Sequence, residues 1–169
     1  MYLVVLADTH LRDGSAQDLP ERVWAAIDEA DAILHAGDVT GNDLLARLAA
    51  RAPTYAVLGN NDHGLVGRLP ERREDVFAGP DGSTIRVAMV HDSGARAGRA
   101  ARMKRWFPSA DLVVFGHSHE PCDQVESGIH LFNPGSAIQR RRQPYTTFGT
   151  IEVAEGGVVR TQIHRAMGV

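Results

Sequence analysis

The sequence predicts an α/β fold of mixed layers, with helices covering sheets. Two features carry that expectation. Short apolar runs alternate with helix-patterned stretches through the first half of the chain, and glycine-punctuated, strand-like runs fill its end. Tyr2–Leu6 reads as a buried strand. Pro20 suits a first helical turn, and Val23, Trp24 and Ile27 share one face, so Pro20–Ala30 reads as a helix. Ala32–His35 is a second strand, and Asp43–Ala50 a second helix with Leu44, Leu45 and Leu48 on one side. Tyr55–Leu58 and Ile85–Val90 follow as strands. Gly98–Phe107 is helical, with Ala100, Met103 and Phe107 apolar, and Pro108 stops it. Leu112–Phe115, Ile129–Phe132, Phe148–Val153 and Val158–Ile163 complete the strands, with a hairpin turn at Glu155-Gly156-Gly157.

A chain of 169 residues, 43% hydrophobic and 23% charged, has the size and composition of one ordinary domain, expected to span 1–169. No apolar run approaches the roughly 18 residues of a membrane helix. Met1–Asp8 is short and lacks a basic lead-in, so it reads as a strand and not a signal peptide. A single cysteine, Cys122, excludes an internal disulfide, and a cytoplasmic setting is expected. The formal net charge of −3 gives no general attraction to nucleic acid or to an anionic membrane. Two basic clusters, Arg72–Arg73 and Arg140–Arg141–Arg142, read either as solvated surface or as a rim that steers an anion.

Five strands end in polar clusters: Asp8-Thr9-His10, Gly37-Asp38, Gly59-Asn60-Asn61-Asp62, His91-Asp92 and Gly116-His117-Ser118-His119. Ligands of α/β sheets bind beyond the carboxyl ends of strands, so the five clusters can converge. Asp offers hard oxygen donors and neutral His offers nitrogen, a mixture suited to Mn, Fe, Zn or Ni. Asn60 adds a neutral oxygen. The residue pairs in Asp8-Thr9-His10 and His117-Ser118-His119 are two apart, so in extended backbone both members point the same way. Gly37, Gly59 and Gly116 allow tight turns and close backbone approach. Each cluster alone reads as an ordinary turn, except Gly116-His117-Ser118-His119, which reads equally as a turn or a metal site. Five of them at successive strand ends point to a metal site.

This motif series resembles the calcineurin-like metallophosphoesterase superfamily. Its small size and the Asn133-Pro134-Gly135-Ser136 turn resemble the compact YfcE-type phosphodiesterase branch. The resemblance implies two packed mixed β-sheets flanked by helices, a four-layer metallophosphoesterase sandwich. It implies a dinuclear metal-dependent phosphodiesterase in which a metal-bridging hydroxide attacks a small phosphodiester substrate. Asp8, His10, Asp38 and His119 would hold the first metal. Asp38, Asn60, His91 and His117 would hold the second, with Asp38 as the bridge. Mn is the first expectation for the two divalent ions, with Ni, Fe, Zn or Mg as alternatives. Compact relatives form dimers or tetramers, so a homo-oligomer is expected. The alternatives are a broad phosphomonoesterase or protein phosphatase, and a non-catalytic protein-binding scaffold on the same fold.

One departure is informative. Many members carry His directly after the Asn ligand, where it stabilises the transition state or protonates the leaving group. Here the position is Asn61, and an amide cannot act as a general acid near neutral pH. That favours diesters with good leaving groups. Asn61 and Asp62 remain catalytic-site candidates, Asp62 more as an orienter of the loop. His63 is either a solvated turn residue or a replacement acid. His35, His130 and His164 read as structural, the last two without acidic neighbours in sequence. Cys122 reads as a buried inert thiol, and Arg12 and Arg140 are candidates for touching a substrate phosphate.

Overall fold

A computed structural model describes residues 1–167. The elements run β1 (Tyr2–Leu6), α1 (Glu21–Asp28), β2 (Ala32–His35), α2 (Asn42–Ala49), β3 (Thr54–Ala56), β4 (Arg72–Ala78), β5 (Thr84–Val90), α3 (Arg99–Trp106), β6 (Leu112–Phe115), β7 (Cys122–Glu126), β8 (Ile129–Asn133), β9 (Thr147–Val153) and β10 (Val159–Arg165). They form two five-stranded mixed sheets, ordered β10-β9-β1-β2-β3 and β4-β5-β6-β8-β7. β1, β2 and β3 run parallel in the first sheet, as do β5, β6 and β8 in the second.

Period-two alternation explains the layers. Leu3 and Val5 of the first strand and Ala7 just past its end, with Ala32 and Leu34 of the second, face inward. They meet Val87, Met89, Leu112, Val114 and Phe132 of the other sheet in the central core. The alternate residues Val4, Leu6 and Ile33 face outward and are covered by Val23 and Ile27 of α1 and by Leu44 and Leu48 of α2. On the opposite side Val90, Val113 and Phe115 are covered by Ala100 and Met103 of α3, with Phe107 just beyond it. Strands apolar on both faces are what a sheet covered on both sides requires. The result is the four-layer sandwich expected from the motif resemblance.

Two strands escaped the sequence reading, β4 and β7. Both are sheet edges. Their sequences, RREDVFA and CDQVE, bury only Phe77 fully, so they carry charge where an interior strand carries apolar side chains. β3 ends earlier than the predicted Tyr55–Leu58, because Leu58 N–H leaves the ladder and donates to Pro70 C=O at 2.8 Å. β9 and β10 pair antiparallel across Glu155–Gly157, where Gly156 and Gly157 take φ of 72° and 69°.

Candidate metal centre

The carboxyl ends of β1, β2, β3, β5 and β6 meet at one edge of the sandwich. Two hydrogen bonds cross between the sheets there. His117 N–H donates to Asp8 Oδ1 at 3.1 Å, and the His91 Nδ1 proton goes to Ala36 C=O at 2.8 Å. All five sequence-predicted clusters are brought together, although they span more than a hundred residues of chain.

The local geometry differs from the expectation. Asp8, His10, Asp38, His117 and His119 are not in extended backbone; their φ values are 53°, 51°, 56°, 69° and 58°. The side chains of each pair converge through repeated left-handed turns off the strand end, and not through the pleat. Such a conformation costs a non-glycine residue on the order of 1 kcal/mol or more, and clusters of it mark functional sites.

One set of donors is Asp8, His10 and His119, with one ligand atom of each lying within 4.8 Å of the others. Asp8 and His119 are fully buried and His10 is at the rim. The His119 Nδ1 proton goes to Gln139 C=O at 2.6 Å, which leaves the Nε2 lone pair facing Asp8 Oδ1 at 3.5 Å and His10 Nε2 at 3.3 Å. Asp8 Oδ2 is buried without a partner. Burial lowers the pKa of His10 and brings that of His119 down to about 4, which favours the neutral ring in both. Burial also pushes the Asp8 carboxyl up to about 7, opposed by His91 and reinforced by Asp38.

The second set centres on Asp38. Its Oδ2 lies 3.6 Å from His10 Nε2 and 3.4 Å from His91 Nε2, so one carboxylate oxygen faces both donor sets. Asn60 Oδ1 lies 3.0 Å from His91 Nε2 and 2.9 Å from His117 Nδ1. Asp8 also falls within 4.8 Å of Asp38 and His91, so it borders both sets. Burial raises the Asp38 carboxyl, but hydrogen bonds from His91 and from the backbone and side chain of Asn61 outweigh it and hold the pKa well below the usual range. Burial lowers His91, but its contacts with Asp38, Asp8 and Ala36 C=O together raise it.

These donors fit a divalent cation. His91 gives its Nδ1 proton to Ala36 C=O, so its Nε2 is the atom turned to Asn60 Oδ1 and Asp38 Oδ2, where a cation would take the place of the proton that Asp38 favours on the metal-free ring. At the first set the His119 Nε2 lone pair faces Asp8, whose Oδ2 is an orphaned buried carboxylate oxygen, and at the second the His91 and His117 rings converge on Asp38 and Asn60 oxygens. A shared positive charge resolves that arrangement, and carboxylate, imidazole and amide oxygen are the donors of a hard-to-borderline metal. The backbone carbonyls that hold His91 and His119 fix their tautomers for ligation.

The loop residues carry the donors. Asp62 is buried and accepts three backbone N–H groups: Asp38 at 2.9 Å, Gly59 at 2.8 Å and Thr40 at 2.7 Å. It holds the β2 and β3 loops together. Asn61 donates its backbone N–H to Asp38 Oδ1 at 2.8 Å and its side-chain N–H to Oδ2 at 2.7 Å. One of its two amide N–H groups is therefore spent on the Asp38 carboxylate, a contact the sequence reading missed. A Cβ on Gly59 would collide with the Asp38 backbone N and Oδ1, and one on Gly37 would lie 2.7 Å from His91 Nδ1, so neither position tolerates a side chain. Asn133 donates to Gly116 C=O at 3.0 Å and Ser136 Oγ to Asp8 C=O at 2.7 Å. The Asn133–Ser136 turn thus braces two of the ligand-bearing turns.

Other candidates fall outside the donor sets. His35 is fully buried, with Nε2 3.0 Å from Thr9 Oγ1. His164 bonds Thr150 Oγ1 at 2.8 Å. His130 has an acidic neighbour that its own stretch of sequence did not reveal: Asp123 of β7, 2.7 Å away. Cys122 is half-buried on an edge strand, not enclosed. Arg73 is committed to Asp75 and Arg72 stacks on Trp106. Arg140 bonds Gln143 C=O. His63, Arg12, Arg141 of the basic cluster and the unpredicted Gln139 line an open cleft of about 810 Å³ beside His10 and Asn61. Nothing in a run of three arginines distinguishes Arg141 from its neighbours before the chain is folded.

Comparison with known proteins agrees with this geometry. The family model of the calcineurin-like phosphoesterase superfamily domain matches residues 1–156. A protein of Methanothermobacter thermautotrophicus named "Probable metallophosphoesterase" is 33% identical over 138 residues, covering 80% of this chain and 77% of its own. The crystal structure of wild-type Vps29 from Entamoeba histolytica complexed with zinc superposes with a TM-score of 0.70 at 20% identity, over 99% of this chain and 100% of that one. The structure of a novel archaeal phosphodiesterase superposes with a TM-score of 0.65 at 18% identity, over 97% of this chain and 100% of the other. The two structural likenesses concern the fold, whereas the family match spans all five donor clusters. The chain therefore belongs to the calcineurin-like phosphoesterase superfamily.

Proposed function

We propose that this chain, acting over 1–169 as one domain, is a dinuclear metal-dependent phosphodiesterase. The observation that carries the reading is Asp38 Oδ2, set 3.4 Å from His91 Nε2 and 3.6 Å from His10 Nε2, between two groups of lone-pair donors. Asp8, His10, Asp38 and His119 would hold one ion, and Asp38, Asn60, His91 and His117 the other. Two divalent cations, when bound, activate a water and draw charge from the phosphoryl oxygens. The mixed oxygen and nitrogen donors make Mn the first candidate. The named archaeal phosphodiesterase and the zinc-bound Vps29 support the substrate class and the metal dependence as analogies of fold.

The protein's own contribution is positioning. Asn61 and Asp62 fix Asp38, and the carbonyls of Ala36 and Gln139 aim His91 and His119. Asn61 supplies no proton, which favours leaving groups that depart without one. The decisive experiment strips the protein of metal, restores Mn, Ni, Zn or Mg separately, and compares bis(p-nitrophenyl) phosphate with p-nitrophenyl phosphate beside metal stoichiometry. Two ions per chain and faster diester turnover are expected. A monoester preference makes the protein a phosphatase, and absence of turnover with every metal makes it a scaffold.

A further inference from the structure

We infer that the cleft beside the metal centre binds a second anionic group of the substrate, so that the preferred diester carries a phosphate on one of its arms. The inference rests on the phosphodiesterase reading and names its substrate class. The cleft is lined by His10 and Asn61 of the centre and, further out, by Arg12, His63, Gln139 and Arg141. At about 810 Å³ it has room for more than one phosphoryl group.

Its charge is the informative feature. Neither Arg12 nor Arg141 forms an ion pair among the described residues, whereas Arg47, Arg51, Arg73 and Arg160 each hold a carboxylate. The only acid in the cleft wall, Asp13, is turned to α2: its Oδ1 accepts Asp43 N–H at 2.8 Å, and its Oδ2 faces the Asn42 amide at 3.4 Å. The positive charge of the two guanidinium groups is thus left for a ligand. Arg141 is held over the centre by its own loop. Gln139 C=O accepts the His119 Nδ1 proton, and Arg141 Nη1 reaches His117 C=O at 3.4 Å. Its charge is felt by Asp8, His10 and His119. Arg12 lies two residues past His10 on the β1 loop. Two arginines on different loops of the centre thus line the same cleft, the clamp this inference rests on, and guanidinium groups recognise phosphate oxygens in bidentate fashion.

A matched pair of probes tests this. Thymidine 5′-monophosphate p-nitrophenyl ester and its 3′-phosphorylated counterpart share one leaving group and differ only in the extra phosphate. The Mn-loaded protein is expected to favour the phosphorylated ester by about tenfold in kcat/KM at low salt, as for a hydrogen-bonded charged pair. Arg12→Ala and Arg141→Ala should each bring the variant's own ratio towards unity, and Arg141→Lys should restore part of it. Arg105→Ala, which removes an equal charge from the exposed side of α3, should leave the ratio unchanged. A wild-type ratio near one with good turnover of both esters overturns the clamp and spares the phosphodiesterase reading. A high ratio that both arginine variants retain also overturns it. If no ester turns over, the catalytic reading fails, and calorimetry decides the clamp alone. Tighter binding of thymidine 3′,5′-bisphosphate than of thymidine 5′-monophosphate, lost in Arg141→Ala with an unchanged thermal melt, supports it. Equal binding ends it.

Discussion

The two sheets contribute differently to one site. The rim of the first sheet supplies both carboxylates and the amide, Asp8, Asp38 and Asn60, along with His10. The rim of the second supplies imidazoles only, His91, His117 and His119. The supports differ in the same way. Asp38 is held by N–H donors of Asn61, and its loop by the N–H groups gathered on Asp62. His91 and His119 are held by backbone carbonyls, Ala36 and Gln139. An anionic group needs donors around it and a neutral imidazole needs one acceptor, so the carboxylates of the first rim meet N–H groups and the imidazoles of the second meet backbone carbonyls, with Ala36 C=O reaching His91 from the first sheet. The first rim is therefore exposed to point mutation at its supports, while the second leans on carbonyls that no side-chain substitution removes.

The largest expected effect is at Asp38, whose Oδ2 faces both His10 and His91. Asp38→Ala should lower diester turnover by roughly a thousandfold, the scale of losing a preorganised electrostatic group. Bound metal should fall towards zero, measured by atomic emission with circular dichroism as the folding check. Two ions retained would break the bridging assignment. Next comes the support of the first rim. Asp62→Ala leaves three backbone N–H groups without their acceptor and should cost about 3 kcal/mol in a urea titration of the metal-free protein. An unchanged midpoint would show that the two rims are equally robust.

A smaller effect is expected on the second rim. Asn133→Ala frees Gly116 C=O but leaves the carbonyl brace of His119 in place, so metal affinity should fall by only about tenfold. A loss of metal as complete as that expected for Asp38→Ala would contradict the asymmetry. The pH dependence separates the rims further. Burial raises Asp8 to about 7 in the metal-free protein, so a proton competes with the cation below that value. Affinity should weaken as pH falls from 8 to 6, with proton release on binding near pH 6 seen by calorimetry in buffers of different ionisation heat. For the metal-free fold the sign is opposite. A carboxyl raised above its unfolded value favours folding at low pH, and that contribution is lost as pH rises through about 7. The smallest effect is at Thr9→Val, which removes one contact to buried His35 and should cost about 1 kcal/mol.

Much of this site was legible before folding, because ligand chemistry resides in residue type. Asp8, Asp38, Asn60, His91, His117 and His119 each follow a strand whose apolar pattern is unmistakable, and carboxyl ends of parallel strands gather at one edge. The edge strands were not legible. β4 and β7 bury one side chain or none fully and so carry no hydrophobic period. Nor was the left-handed backbone at five candidate donor positions, since Asp and His signal it far more weakly than glycine does.

The sequence by itself determined the donors, their order along the chain and the kind of ion they suit. The tertiary structure decided which oxygen of Asp38 faces both imidazole groups, that Asn61 spends its amide on that carboxylate, and that Arg141 and not Arg140 overlooks the cleft. The physical reason is range. Residue type and periodicity act within a few positions. These decisions are made by contacts such as Asp8 with His117 and His91 with Ala36, which join segments 109 and 55 residues apart. They exist only after two sheets have closed on a common core.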